Sequence, residues 1–175
     1  SNPIVLRGTG TFTGTNTLTL NGPISGGATL NKTGTGVVRI TSDTTHTGTT
    51  NVSDGILRLL SNGALGSTSG ITNASGTGTV ELGDGVVITG DPTTFGHSGA
   101  DGSPTGSRGG LQAGVNATAE WAGDIIVGGN LARIGVQEGG TLILSGNITD
   151  GANSFRLRLS GELTGTGGVI LSGSA

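Results

Sequence analysis

A spaced pair of aliphatic residues recurs along the chain, each pair separated by one residue: Leu18 and Leu20, Val38 and Ile40, Leu57 and Leu59, Val80 and Leu82, Leu142 and Leu144, Leu157 and Leu159, Val169 and Leu171. The first four recur at nearly even offsets, from Leu18 to Val38 to Leu57 to Val80. Spacing of two places both members on one face of a strand, because successive side chains in a strand point to opposite faces. One such strand per repeat predicts an array of short units, each unable to bury its apolar face alone. Gly and Thr interrupt every window that could carry helical spacing, and both disfavour helices. The fold class expected is all-β: a right-handed parallel β-helix, a single rod of about seven to eight coils at about 20–24 residues per coil. Each coil would advance one strand spacing of about 4.8 Å, giving a rod on the order of 35–40 Å long. The later pairs, ending at Leu144, Leu159 and Leu171, are too close together for whole coils and are expected on different faces of one coil.

The pattern lapses once. Residues 91–110 are rich in Gly, Pro, Asp and Ser and poor in apolar residues, which predicts a turn-rich loop leaving the solenoid. From Leu111 the apolar positions resume. The chain is expected to be one β-helix segment, residues 1–175, of a longer repetitive protein. It begins with Ser rather than Met and shows no signal peptide, as an excised or processed piece would.

Composition agrees with a narrow interior. Of 175 residues 38 are Gly and 4 are Pro, a share close to that of disordered low-complexity chains. Yet Val, Ile, Leu and Phe make up about a quarter of the chain, and the formal net charge is only −3, so disorder is not expected. One Trp, three Phe, and no Tyr or Met leave a core of stacked aliphatic rows, which suits a solenoid. There is no Cys, hence no disulfide framework and no thiolate metal site. No apolar run is long enough to form a transmembrane helix. Eight scattered Lys and Arg, with almost no stacking aromatics, argue against a nucleic-acid partner; Arg108-Gly109-Gly110 stands alone.

Residues 30–59 carry the most specific pattern: Leu30, Lys32, Gly34, Gly36, then Val38 and Ile40, Thr45, Thr47, Gly48, Thr50, Val52, Gly55, Leu57 and Leu59. This resembles the passenger-associated transport repeat, also called the autotransporter-associated β-strand repeat. Thr44 stands where that repeat has Asn, and His46 where it has Tyr. The stretches around Trp121, Arg133 and Leu142 are similar to the repeat's flanking cassette. The resemblance implies a β-helical segment of a large secreted or cell-surface bacterial protein and implies no catalytic residues.

Chemistry-bearing residues are few. His46 and His97 are the only histidines, and no nucleophile elbow surrounds Ser98 beside His97. Asp84, Asp91 and Asp101 lie near Gly, a setting that ordinary turns share with Ca²⁺ loops, but no Ca²⁺-loop motif is present. The eleven acids are dispersed, whereas polysaccharide-cleaving β-helices need clustered carboxylates. Trp121 is a lone sugar platform whose context favours packing. The Thr-rich run from Thr9 to Thr19 raises an ice-binding face, which would need the same Thr pair on every coil. Five Asn-x-Ser/Thr sequons, at Asn31, Asn51, Asn73, Asn116 and Asn147, are what a chain rich in Ser and Thr produces by chance.

The expectation is therefore no enzyme, no catalytic residue, no metal and no cofactor. The expected role is a stiff structural spacer of an extracellular or cell-surface protein, whose partners are adjacent repeats or further copies of itself stacked end to end. The alternative is an adhesion module that binds a glycan or host receptor through the 91–110 loop, with Asp91, Phe95, His97, Asp101 and Arg108 as the binding residues.

Overall fold

The computed structural model describes residues 2–67, 76–99, 109–150 and 155–160, and the backbone alone of 72–74 and 168–171. These residues form an all-β solenoid with no helix among them. The first coil carries β1 (Ile4–Val5), β2 (Gly10–Phe12) and β3 (Thr17–Leu20). The second carries β4 (Ile24–Gly26), β5 (Leu30–Lys32) and β6 (Val37–Ile40); the third β7 (Thr45–His46), β8 (Thr50–Val52) and β9 (Ile56–Leu59). Then follow β10 (Thr72–Ala74) and β11 (Thr79–Leu82), and next β12 (Val87–Ile88), β13 (Thr93–Phe95) and β14 (Leu111–Ala113). The last are β15 (Thr118–Trp121), β16 (Ile125–Val127) and β17 (Arg133–Val136), β18 (Thr141–Leu144), β19 (Ile148–Thr149) and β20 (Arg158–Ser160), and β21 (Gly168–Leu171).

Every pairing between these strands is parallel and joins consecutive coils. One sheet of seven strands runs β2-β5-β8-β10-β13-β16-β19, and a second runs β3-β6-β9-β11-β14-β17-β20. Seven strands span six steps, so the rod makes about six turns, slightly fewer than the seven to eight expected. At about 4.8 Å per step it is about 29 Å long. The early coils are regular. Ile4 pairs with Ile24, Gly10 with Leu30, Leu30 with Thr50 and Thr17 with Val37, the same count of residues separating the partners each time.

The spaced aliphatic pairs are the inner face of the β3 sheet. Leu20, Ile40, Leu59, Leu82, Ala113 and Val136 form one buried row, and Val38, Leu57, Val80, Leu111 and Ile134 the other. Leu111 with Ala113 and Ile134 with Val136 continue the series through the region where the aliphatic pairs thin out in the sequence. The closely spaced later pairs do lie on different sheets: Leu142 and Leu144 pair with Val169 and Leu171, while Leu159 pairs with Ile134.

The third side of the solenoid changes hands midway. In the first three coils it is the sheet β1-β4-β7; from β12 onward it is the separate sheet β12-β15-β18-β21. A turn over residues 61–66 stands between them. It stacks on the third coil through Thr44 N to Gly63 O (2.9 Å) and Ser67 N to His46 O (3.1 Å). Asp43 anchors it, accepting from the Ser61 hydroxyl and from Gly63 N at 3.0 Å; these bonds hold the Asp43 carboxyl below its ordinary pKa. On the far side, Asn62 Oδ1 accepts from Val87 N at 2.9 Å and so reaches β12.

Two buried polar residues seal the corners. Lys32 sits in the inner row of the β2 sheet between Phe12 and Val52, 2% exposed. Its ammonium donates to the carbonyls of Gly34 (2.7 Å), Asp54 (2.9 Å) and Thr33 (3.3 Å). Desolvation lowers its pKa, and the Asp54 charge acts in the opposite sense. His46, also buried, bonds through Nε2 to Ala28 O at 2.7 Å. Its column reads Leu6, Gly26, His46, Gly66 at even intervals. A Cβ on Gly66 would lie 2.0 Å from His46 O, so only glycine admits that stacking.

Candidate functional site

Three of the five predicted loop residues, Asp91, Phe95 and His97, lie among the described residues. Thr93–Phe95 is a strand of the β2 sheet, and Phe95, 1% exposed, is a core residue in the row of Phe12, Lys32, Val52 and Val127. A loop boundary at 91 therefore falls too early, because Thr93-Thr94-Phe95 is a short alternating strand hidden behind Pro92 and among Gly and Ser. The extra chain lies between Phe95 and Leu111, so the one-coil step from Val80 to Leu111 is longer than the step from Leu57 to Val80. Asp91 is buried too. Its Oδ1 meets no hydrogen-bond partner among the described residues, and desolvation raises its pKa to about 6. His97 is half-buried and tied to its surroundings: its Nδ1 accepts from Gly99 N at 3.0 Å and its carbonyl from Arg133 N at 3.2 Å. Asp101 and Arg108 lie outside the described residues.

The other candidates resolve into architecture. Trp121 is fully buried and offers no stacking surface. The Thr run divides between two sheets, Thr11 on β2 and Thr17 and Thr19 on β3, so it is not one flat face. Asn31, Asn51 and Asn73 are in backbone register on the β2 sheet, and Asn51 Nδ2 donates to Asn31 Oδ1 at 3.1 Å, joining two coils. Asp84 Oδ1 accepts from Thr118 N at 2.9 Å and so clips β15 to the coil before it. No group of three or more metal-ligating side chains occurs among the described residues.

A different cluster does assemble, from the residues between the members of the aliphatic pairs. On the outer face of the β3 sheet, register stacks Thr19, Arg39, Arg58, Glu81, Gln112 and Gly135 in one row. Glu81 is 2% exposed and Gln112 0%, although both alternate with core residues and point away from the interior. A buried carboxylate is tolerable only when paired and hydrogen-bonded. Glu81 has both: the Arg58 guanidinium Nε pairs with Oε1, and Gln112 Nε2 donates to Oε2 at 2.7 Å.

Arg39, one coil earlier, has no such partner. Its Nε is buried without a hydrogen bond, and no acid pairs with it among the described residues. Beside this row runs a second outer column of Thr41, Leu60, Gly83, Gly114 and Gln137. A groove of about 300 Å³ lies beside the two rows, lined by Arg39, Arg58, Leu60, Glu81, Gly83, Asp84, Gly114, Val115 and Ala117. The identities of Arg39, Arg58 and Glu81 are visible in the sequence, but their shared row becomes visible only once register is known. No protein-family model matches the chain, and neither a curated protein nor a solved structure is significantly similar to it.

Proposed function

We propose that the chain is a stiff β-solenoid segment of a large bacterial extracellular or cell-surface protein, a spacer in a fibre, stalk or autotransporter-passenger-like adhesin. The observation that carries this reading is the pair of seven-stranded parallel sheets with backbone pairing along the rod axis at every step. Such an array resists bending because each coil is bonded to both neighbours, and it lengthens by adding coils. The resemblance of residues 30–59 to the autotransporter-associated repeat supports the surface location and adds no chemistry. The first coil leaves β1, β2 and β3 each paired on one side only, with Val5 56% and Leu18 44% exposed. Unpaired edges and exposed aliphatics are what a preceding repeat or a second copy would cover. Electron microscopy of chains carrying one, two and four copies tests the spacer role. Straight rods whose length rises in proportion to copy number are expected, and dispersed, unconnected beads would count against it.

The second reading, an adhesion module, is favoured by one observation: the step from Val80 to Leu111 is longer than the steps on either side of it in the same sheet. Deleting residues 98–108 separates the two readings. A spacer keeps its rod shape and loses nothing else, whereas an adhesion module keeps its shape and loses binding to host cells or glycans.

A further inference from the structure

We propose that the groove beside the Arg39–Glu81 row binds the carboxylate of a singly acidic, hydroxyl-rich ligand, of the class of a uronic acid, with Arg39 as the carboxylate-recognising residue. The inference stands apart from the spacer role and from the 91–110 loop.

The charge pattern of the row leads to it. Arg39 and Arg58 face one another in register on neighbouring strands, about 4.8 Å apart, an arrangement that is unfavourable for like charges. Arg58 is neutralised by Glu81 on the next strand, and Glu81 is held on its other side by Gln112. Arg39 has no acid against it among the described residues: Thr19 is its neighbour on the other side, and its Nε is already withdrawn from water with no acceptor among them. An unsatisfied buried donor on a cation is costly, and an incoming oxyanion would satisfy it. The planar guanidinium fork suits a carboxylate, which can take two parallel bonds from it.

The rest of the groove selects what the carboxylate is attached to. Its middle is charge-balanced by the Arg58–Glu81 pair, and the Leu60 side chain, which lies over Gly83, gives it an apolar wall. At the far end stands the exposed carboxylate of Asp84, bonded to Thr118 N. Asp84 repels a second negative charge and can accept from hydroxyls. A volume of about 300 Å³ lies at the small end of ligand sites, the size for one sugar unit rather than a long chain.

The test is titration of the full chain with glucuronate, and in parallel with glucose, acetate and inorganic phosphate, followed by the Arg39 Nε–H resonance in a ¹⁵N spectrum. Glucuronate is expected to bind, to shift that resonance, and to exceed each of the other three by about tenfold or more. Arg39→Gln, with an unchanged melting temperature as evidence of folding, is expected to lose about tenfold in affinity, and Arg39→Lys to recover part of it. No binding of glucuronate, equal affinity for acetate, phosphate or glucose, or binding that survives Arg39→Gln unchanged would each overturn the proposal.

Discussion

Arg58 on the third coil holds the carboxylate of Glu81 on the fourth, so that one ion pair, backed by Gln112 on the coil beyond, ties three consecutive strands of the β3 sheet through their outer face. Glu81→Gln removes the charge and leaves Arg58 half-buried without its partner. A loss of about 1–3 kcal/mol is expected in denaturant unfolding. The double variant with Arg58→Gln should lose less than the sum of the two single losses, and strict additivity would mean that the pair contributes no coupling.

Asp91 makes stability depend on pH. Its folded pKa of about 6 lies above the ordinary 3.8, so the folded state prefers the protonated carboxyl. The associated stability is fully present below about pH 4 and is lost as pH rises through about 6. Melting temperatures of the native chain should fall across this window, while those of Asp91→Asn should fall less. Parallel profiles for the two proteins would place the effect elsewhere.

Lys32→Met keeps the bulk of the buried side chain and removes its three bonds to the carbonyls of Thr33, Gly34 and Asp54. With those carbonyls left unserved at the corner, a destabilisation of about 1–3 kcal/mol is expected, read from the midpoint of urea unfolding. A neutral or stabilising result would show that desolvation of the ammonium offsets all that its bonds contribute.

Gly66 and Gly85 separate two uses of glycine. Both have positive φ, +102° and +71°. A Cβ at Gly66 meets His46 O at 2.0 Å, whereas one at Gly85 meets nothing within 4 Å. Gly85→Ala should therefore cost about 1–2 kcal/mol, the backbone penalty alone. Gly66→Ala should cost clearly more, because the fourth coil must also lift off the third. Equal losses in thermal unfolding would contradict the close stacking.

Much of the fold is legible in the sequence because a strand period of two and a nearly constant coil step leave a direct imprint on aliphatic residues. Leu20, Ile40, Leu59 and Leu82 announce their row from the sequence alone. Ala113 and Gly135 hide the continuation of the same sheet, since small residues carry little signal of facing inward or outward. Phe95 escapes for a related reason: a three-residue strand following Pro92 has too few alternations to stand out from a loop. The groove is illegible in principle. Arg39, Arg58 and Glu81 each lie a full coil apart along the chain, and what brings them together is register, which depends on how many residues each corner absorbs. Nor does composition reveal that Gly83 and Gly114 stand beside them.

The even step that relates the first coil to the second in all three sheets has a consequence for how such a chain can vary. Duplication or loss of one such block returns each inward residue to an inward place, so length can change in whole increments that keep the aliphatic rows inside. Gain or loss of a single residue within a strand would turn the aliphatic rows toward solvent. Length in this molecule is thus counted in coils rather than in residues.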